Sequence, residues 1–310
     1  MQEPLEAYCH VGIVHPMAFP ECIGGEGPIV ETLSQIANDT FFSAVEVGWM
    51  KDPKVRSEAA DLLAASGLEV IFASQAALMQ QGLSLCDLDA GKRAQAVDGA
   101  KKLIDQAYEL GAVMMAVLSG PDPGEADRPK ATEALIDSLK QICNYAQERA
   151  EDKMLSISLE NFDRDIDKRQ LIGPTKEAAQ VAETVWSECS NFGLTIDLSH
   201  LPLLQERIDE TAVSAVDHLI HVHIGNCVMS DTTHPAYGDS HPRFGLPGGS
   251  IGVEQVRRFL EALVYAGYFK RSAPTTMPVV SFEVRPGSDD SSALVIANAK
   301  RTLKQAWARL

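Results

Sequence analysis

The chain has 310 residues, of which 43 are acidic and 27 are basic, so its formal net charge is −16 with histidine neutral. Hydrophobic residues make up 45% and charged residues 23%, which is the usage of a folded globular protein and excludes a disordered one. Nucleic-acid binding draws its affinity from lysine and arginine that neutralise phosphates, so a chain this acidic disfavours a nucleic-acid partner.

The amino-terminal segment predicts no secretory signal. Its first residues are acidic, and Pro16 and Pro20 interrupt any apolar run. No stretch approaches the roughly twenty apolar residues that cross a bilayer. We therefore expect a cytoplasmic protein without a membrane partner. The six cysteines are spaced singly, without a C-x-x-C pair, and are expected to be reduced and buried.

Short β-like runs alternate with longer stretches of helical periodicity along the whole chain. The predicted strands cover residues 9–14, 44–48, 68–74, 112–118, 155–160, 193–197, 219–224 and 279–284. The predicted helices cover residues 29–38, 53–66, 90–110, 129–150, 174–189, 203–213, 253–266 and 291–308. Eight β/α units in one chain of this length predict a single-domain (β/α)₈ barrel over residues 1–310, with an open doubly wound sheet as the alternative.

The residue pattern within the strands separates these two folds. The fifth predicted strand reads Leu-Ser-Ile-Ser-Leu-Glu, and the seventh places His221 opposite the apolar face that begins at Ile220. Open parallel sheets are covered on both faces and read as continuous apolar runs, whereas a barrel strand shows one face to its helices. The alternation favours the barrel. It directs four chemically active side chains inward near strand ends: Glu160, Asp197, His223 and Glu283.

Those four residues indicate a metal centre. Three carboxylates and one imidazole in a small cavity carry excess negative charge, which is costly unless a cation compensates it. Oxygen-rich ligation with one nitrogen suits Mn²⁺, Mg²⁺ or Co²⁺ better than it suits a structural zinc site. A single strand-end carboxylate is weak evidence, but four residues at equivalent positions on successive strands together predict a bound divalent ion.

Residues 225–252 form the longest predicted irregular segment and follow the seventh strand. The segment contains His241, Arg243 and five glycines from Gly238 onward. Long loops at the carboxyl ends of barrel strands commonly cover active sites, so we predict an active-site loop, with an insertion of no function as the alternative.

Five motifs resemble the xylose-isomerase-like barrels of sugar-phosphate isomerases and epimerases. They read SLEN at 158–161, IDLSH at 196–200, HVHIGN at 221–226, LPGGSIG at 246–252 and SFEV at 281–284. The resemblance covers essentially the whole chain. It implies one divalent ion, Mn²⁺ first, with Mg²⁺, Co²⁺ or Zn²⁺ as alternatives, held by Glu160, Asp197, His223 and Glu283. It also implies that His200 contacts a substrate hydroxyl, as in ketose 3-epimerases.

The resemblance further implies proton transfer beside a carbonyl through an enediolate, with Glu160 and Glu283 as the acid and the base. We therefore expect a ketose or cyclitol epimerase or isomerase acting on a small carbohydrate. The main alternative is a lyase or dehydratase that uses the same site on a keto-sugar, keto-glycoside or inosose. A DNA-repair nuclease of the three-zinc barrels is disfavoured by the net charge of −16. A sugar-binding barrel without catalysis remains open, and the resemblance implies a homo-oligomer.

Two positions depart from the ketose 3-epimerases. Met229 stands where they have an arginine, and Ile166 stands where they have an acidic residue. Arg243 or Arg285 is expected to replace the arginine. Asp165 or Asp167 is expected to replace the acid.

Further inward-facing or loop residues are predicted to contact substrate: His10, Glu46, Trp49 and His241. Trp49 can stack on a sugar face or form part of the wall. His241 can contact substrate or metal. His221, one pleat deeper than His223, is expected to be a hydrogen-bonded interior histidine.

Overall fold

The computed structural model describes residues 3–310. Eight parallel strands are hydrogen-bonded in the order β1-β8-β7-β6-β5-β4-β3-β2. They are β1 (His10–Ile13), β2 (Ala44–Val47), β3 (Glu69–Ala73), β4 (Met114–Val117), β5 (Ser156–Glu160), β6 (Phe192–Asp197), β7 (Leu219–Gly225) and β8 (Val279–Glu283). A bridge between Val14 and Glu46 joins β1 to β2 and brings the ends of the sheet together. The chain is a (β/α)₈ barrel, so the predicted fold is confirmed.

Helices surround the barrel. They are α1 (His15–Ala18), α2 (Ile29–Ala37), α3 (Pro53–Ser66), α4 (Gln75–Gln80), α5 (Ala90–Glu109), α6 (Arg128–Arg149), α7 (Thr175–Trp186), α8 (His200–Leu204), α9 (Ile208–Ala215), α10 (Val253–Ala266) and α11 (Ser292–Trp307). Short 3₁₀ turns occur at Leu5–Ala7, Pro20–Cys22 and Tyr268–Lys270. No helix among residues 3–310 is long and apolar enough to cross a membrane.

The predicted helix at 203–213 is wrong. The chain forms two short helices there, α8 and α9, because Gln205 adopts a left-handed conformation with φ of 57° and an α-helix cannot continue through it. The short helices α1 and α4, which follow β1 and β3, were not predicted. They have 4 and 6 residues, too few to show a helical period in the sequence.

The barrel interior is layered. At the amino-terminal end of the strands, an apolar layer consists of Ala44, Ile71, Met114 and Val279, with Ile220 packed against it. The assignment of Ile220 to the outer face is therefore wrong. Leu194 pairs with Leu219 while Thr195 pairs with His221, so Ile220 is an extra residue in β7 at a β-bulge.

Polar side chains occupy the layers above. His221 is fully buried, and its ring nitrogens lie 3.4 Å from Thr195 Oγ1 and 3.3 Å from Ser281 Oγ. Ser158 Oγ lies 2.5 Å from Thr195 Oγ1. His221 is thus a hydrogen-bonded interior histidine, as predicted. The apolar layer closes one end of the barrel, so the functional groups collect at the carboxyl ends of the strands.

Candidate metal centre and active site

Four strands deliver the side chains predicted to bind a metal. Glu160, Asp197 and Glu283 end β5, β6 and β8, and His223 lies near the end of β7. One donor atom from each of these residues lies within 4.8 Å of all the others. Glu160, Asp197 and His223 are buried, and the Glu283 side chain is 12% exposed. The parallel register therefore brings residues far apart in sequence to one point.

The two nitrogens of His223 have different surroundings. Nδ1 lies 3.2 Å from Glu160 Oε1 and 2.7 Å from Glu283 Oε2, so it faces the donor group. Nε2 lies 3.1 Å from both carboxylate oxygens of Glu46. When Nε2 carries the proton and donates it to Glu46, the lone pair of Nδ1 is free to ligate a metal.

Glu46 therefore has a different place from the one predicted. Its side chain does face the barrel interior, but it is fully buried and pairs with His223 and with His221 Nε2, at 3.0 Å. It does not line the cavity, because His223 lies between it and the other donors. Glu46 therefore contacts two histidines of the barrel interior and is not among the residues that line the cavity.

Replacing Glu46 by glutamine should weaken the affinity for Mn²⁺ about 10- to 100-fold, because the neutral amide orients His223 less firmly. Isothermal titration of the metal-free protein measures this. Glu69→Gln is the matched control, since Glu69 lies 3.8 Å from His10 at the opposite end of the barrel and should keep wild-type affinity. An unchanged dissociation constant in folded Glu46→Gln would contradict this role.

Asp197 belongs to the group of four donors described above and also contacts a second group of polar side chains, which includes His200 and His241. Its Oδ1 accepts a hydrogen bond of 2.8 Å from the Ser199 backbone, and its Oδ2 accepts one from Ser199 Oγ. Oδ2 also lies 3.1 Å from His241 Nε2 and 3.6 Å from His200 Nε2. The conformation of Asp197 is thus fixed by the turn that leads into α8.

Asp239, His200 and His241 complete this second group. Asp239 Oδ1 lies 3.4 Å from both His200 Nε2 and His241 Nε2. His200 Nε2 and both carboxylate oxygens of Asp239 are buried without a hydrogen-bond partner among the described residues. His200 itself is held by the contact of its Nδ1 with Asn161 O at 2.8 Å and by Phe162, whose ring centre is 4.5 Å away.

The active-site loop brings His241 into this group. His241 has a φ of 53°, a strained conformation for a residue other than glycine. A Cβ on Gly225 would lie 2.9 Å from His241 Cδ2 and 2.8 Å from Glu283 O, so only glycine permits this approach. The backbone of Arg285 donates to His241 O at 2.7 Å. The loop is thus attached to β8 beside Glu283.

The electrostatic field of the site attracts cations. Burial disfavours a charged imidazole, but the surrounding carboxylates, Glu46 foremost, outweigh it and hold the pKa of His223 well above its usual value. Burial likewise opposes protonation of His241, yet Asp239 and Glu283 raise its pKa to about 9. The pKa of Asp197 falls to about 2, since its histidine neighbours outweigh burial.

The donor chemistry fits a divalent cation. Three carboxylates and an imidazole within 4.8 Å of one another supply hard oxygen ligands and one nitrogen, and the negative field that favours protonated His223 would favour a metal in its place. A second set of donors, Asp197, His200 and His241, also meets within this distance, as does the Glu46, His221 and His223 set. In the latter, both histidines pair with Glu46.

A cavity of about 190 Å³ opens beside the donors. Its polar lining includes His223, Asp239, His241 and Glu283. Its apolar lining includes Pro16, Met17, Ile23, Trp49, Met79 and Phe162. Arg285 also lines this cavity. Glu160, Asp197 and His200 are not among its lining residues.

Two predicted substrate contacts lie elsewhere. His10 is at the start of β1, at the amino-terminal end of the barrel, where its Nε2 lies 2.7 Å from Thr276 Oγ1. Arg243 lies beside Asp290, with 3.4 Å from Nε to Oδ1, and does not line the cavity. His10 is the first residue of its strand, so it lies at the end of the barrel opposite the carboxyl ends where the site was predicted.

Sequence reasoning missed two residues of the site. Gln75, the first residue of α4, donates to Glu160 Oε2 at 2.6 Å. Lys168 lines the cavity, and its Nζ lies 3.0 Å from Asp239 O and 3.3 Å from Asp239 Oδ2. A polar residue directly after β3 was the available signal for Gln75. The sequence offers no signal for Lys168, since its loop is shaped by Asp163, which accepts hydrogen bonds from three backbone N–H groups.

Asp167 also takes part in the site region, although it is not a cavity residue. Its Oδ2 accepts a hydrogen bond of 3.0 Å from the backbone of Asp239 and lies 2.9 Å from Lys168 Nζ. Asp167 and Lys168 thus join the loop after β5 to the active-site loop.

Comparison with known proteins places this site in a family. The model of the xylose isomerase-like TIM barrel family matches residues 35–271, so the chain belongs to that family. The sequence has no significant match among curated proteins.

Solved structures share the fold. A D-tagatose 3-epimerase-like protein superposes with a TM-score of 0.70 at 19% identity, covering 97% of this chain and 99% of the other. An L-ribulose 3-epimerase superposes with a TM-score of 0.67 at 18% identity, covering 97% of this chain and 96% of the other. A family 2 AP endonuclease from Brucella melitensis superposes with a TM-score of 0.66 at 16% identity, covering 94% of this chain and 98% of the other. At these identities the likeness establishes the fold alone.

Proposed function

We propose that the chain is a divalent-metal-dependent sugar epimerase or isomerase that moves a proton on a carbon next to a carbonyl. The observation that carries the proposal is the convergence of Glu160, Asp197, His223 and Glu283 within 4.8 Å beside a cavity. The epimerases among the structures of the same fold support this class of substrate and reaction.

In this proposal the metal ligands are the three carboxylates and His223 Nδ1. Mn²⁺ suits this donor set best, and Mg²⁺, Co²⁺ or Zn²⁺ are alternatives. A bound divalent cation polarises the substrate carbonyl and makes the neighbouring C–H more acidic. The protein supplies the fixed geometry through Glu46 and through Gln75, which holds Glu160 Oε2.

Glu160 and Glu283 are the proposed proton-transfer pair. They end β5 and β8, which are separated by β6 and β7, so the two carboxylates approach the centre from different strands. Glu283 lines the cavity and is partly exposed, whereas Glu160 is buried and is not among the lining residues. We therefore assign the first contact with the substrate C–H to Glu283. Return of the proton by the other carboxylate, from the other side, inverts the carbon.

The remaining polar groups are proposed to bind substrate hydroxyls. His241 and Asp239 line the cavity, and His200 lies 3.4 Å from Asp239 behind them. Lys168 and Arg285 add positive charge at the same wall. Trp49 also lines the cavity, where we propose that its ring packs on the C–H face of a sugar.

A lyase or dehydratase is the second candidate, and one observation favours it. His241 lines the cavity, and although burial lowers its pKa, the charge of Asp239, which is not one of the proposed metal ligands, raises it. A protonated imidazole can donate its proton to a departing oxygen, which an epimerase does not require.

Solvent-deuterium exchange tests the proposed function. The Mn²⁺-loaded protein is incubated in D₂O with D-tagatose, D-fructose, L-ribulose and an inosose. An epimerase or isomerase should incorporate one deuterium into one of them with the molecular formula otherwise unchanged. Release of water or of a fragment would identify the lyase instead. Absence of both across these substrates and a wider set of keto-sugars would contradict both candidates.

A further inference from the structure

A second cavity adjoins the candidate active site. Its volume is about 460 Å³, and Met79 belongs to the lining of both cavities. Met79 lies on α4, directly after β3, and Leu118 and Pro121 of the second cavity follow β4. Both cavities therefore open at the carboxyl end of the barrel, on either side of one methionine.

The lining of the second cavity is mainly apolar. It includes Leu78, Met79, Leu83, Leu88, Leu118, Pro121 and Pro123. Met79 and Leu88 are 41% and 43% exposed, and they are among the few large hydrophobic side chains that the described residues leave open to solvent. Exposed apolar side chains gathered at one cavity indicate a binding surface.

The polar side chains of this cavity are already engaged. Gln170 accepts from the Gly120 backbone at 2.9 Å and donates to Lys168 O at 3.0 Å. Asp122 is held by Arg128, with 2.8 Å between Nη2 and Oδ2. The cavity therefore has few free hydrogen-bond donors to offer a polyhydroxylated ring.

The remaining polar side chains of the cavity, Ser84, Cys86 and Asp87, also have hydrogen-bond partners within the protein. Ser84 Oγ lies 3.4 Å from Cys86 Sγ, which in turn donates to Pro121 O at 3.5 Å. Asp87 Oδ1 accepts from the Asp89 backbone at 2.9 Å. Hydroxyl groups of a sugar ring placed here can pair only with the remaining lone pairs of Asp87 and Asp122, whereas an apolar group needs no partner. The carboxylates of Asp87 and Asp122 also disfavour an anionic group.

We propose that the second cavity is a subsite for a neutral apolar aglycone, and that the substrates include keto-glycosides, whose sugar ring keeps a carbonyl away from the anomeric carbon and lies at the candidate metal centre. This inference rests on the proposed function for the position of the sugar. The apolar wall of the first cavity, with Trp49 and Met79, then continues into the second. The glycosidic bond passes Met79, and the aglycone lies against the leucines and prolines beyond it.

Calorimetric binding to the Mn²⁺-loaded protein tests the subsite without requiring turnover. The probes are phenyl β-D-glucoside and methyl β-D-glucoside, which share the sugar, differ in the aglycone and cannot react because they have no carbonyl. Burial of the phenyl ring should give the phenyl glycoside about a tenfold lower dissociation constant. Equal affinities, or binding of neither glycoside, would overturn the subsite.

A substitution in the second cavity tests whether the preference for the phenyl glycoside arises there. Leu88→Gln makes the second cavity more polar without touching the first, and it should reduce the preference for the phenyl glycoside at least about threefold. Leu294→Gln is the matched control, because Leu294 is 49% exposed and lines neither cavity. A preference that survives Leu88→Gln unchanged would place the aglycone elsewhere and refute the proposal.

The test also separates the subsite from the proposed function. Deuterium exchange into a free keto-sugar combined with equal binding of both glycosides would retain the epimerase and refute the subsite. A phenyl preference that depends on Leu88, found together with no exchange in any keto-sugar, would retain the subsite and refute the epimerase.

Discussion

Glu283→Gln should lower the turnover number by about a thousandfold, because removal of a positioned general base costs in the range of 10² to 10⁴. Glu283 is the proposed proton-transfer carboxylate that lines the cavity, and the amide that replaces it is too weak a base to take up a proton. The measurement is deuterium uptake by the best keto-sugar substrate, under saturating Mn²⁺. Substantial activity in this variant would remove Glu283 from the proton-transfer pair.

Two controls make the result interpretable. Glu58→Gln carries the same substitution on an exposed face of α3, where Glu58 is 53% exposed, and should retain full activity. Because Glu283 is also a proposed ligand, the metal content of Glu283→Gln is measured beside its activity. If activity is lost while the metal is retained, Glu283 acts as the base. If both are lost, metal ligation is the larger contribution of Glu283.

Removal of the metal should abolish activity and lower the melting temperature by several degrees. A ligand at a hundred times its dissociation constant stabilises a protein by about 2.7 kcal/mol, and the carboxylates of the site repel one another without it. Mn²⁺ added back to the chelator-treated protein should restore both properties. Thermal unfolding followed by circular dichroism measures the stabilisation.

Asp197→Asn supplies the comparison for this experiment. It preserves the shape of the side chain but removes the negative charge that lies beside His200 and His241. Mn²⁺ should raise the melting temperature of the wild type much more than that of the variant. Equal shifts in the two proteins would show that the metal binds elsewhere, and no shift in the wild type would contradict a metal centre in the barrel.

The loop after β5 places charged side chains against the loop at residues 225–252. The backbone of Ile166 donates to Asp163 at 2.8 Å. That turn carries Asp167 to the backbone of Asp239 and Lys168 to its carboxylate. Asp167 is one of the residues expected to replace the missing acid, but it acts on the active-site loop and not on the cavity.

The sequence alone determined the barrel and its inward-facing residues. Alternation with a period of two is local, so it identifies which residues of β5 and β7 face inward without any knowledge of neighbouring strands. The fold was therefore predictable, and so was the set of Glu160, Asp197, His223 and Glu283. The same local pattern misassigned Ile220, since a bulge depends on how β7 pairs with β6.

Only the tertiary structure decided depth along the barrel and the course of the loops. His10, Glu46 and His223 all face inward, yet they lie at different heights: His10 at the amino end, Glu46 beneath His223. Height depends on the stagger of all eight strands, which no single strand encodes. Lys168 and Arg243 lie on loops and contact residues far along the chain, Asp239 for one and Asp290 for the other. Contacts between residues so far apart in the chain leave no periodic signal in the sequence. The residues that line the cavity could therefore be identified only from the folded structure.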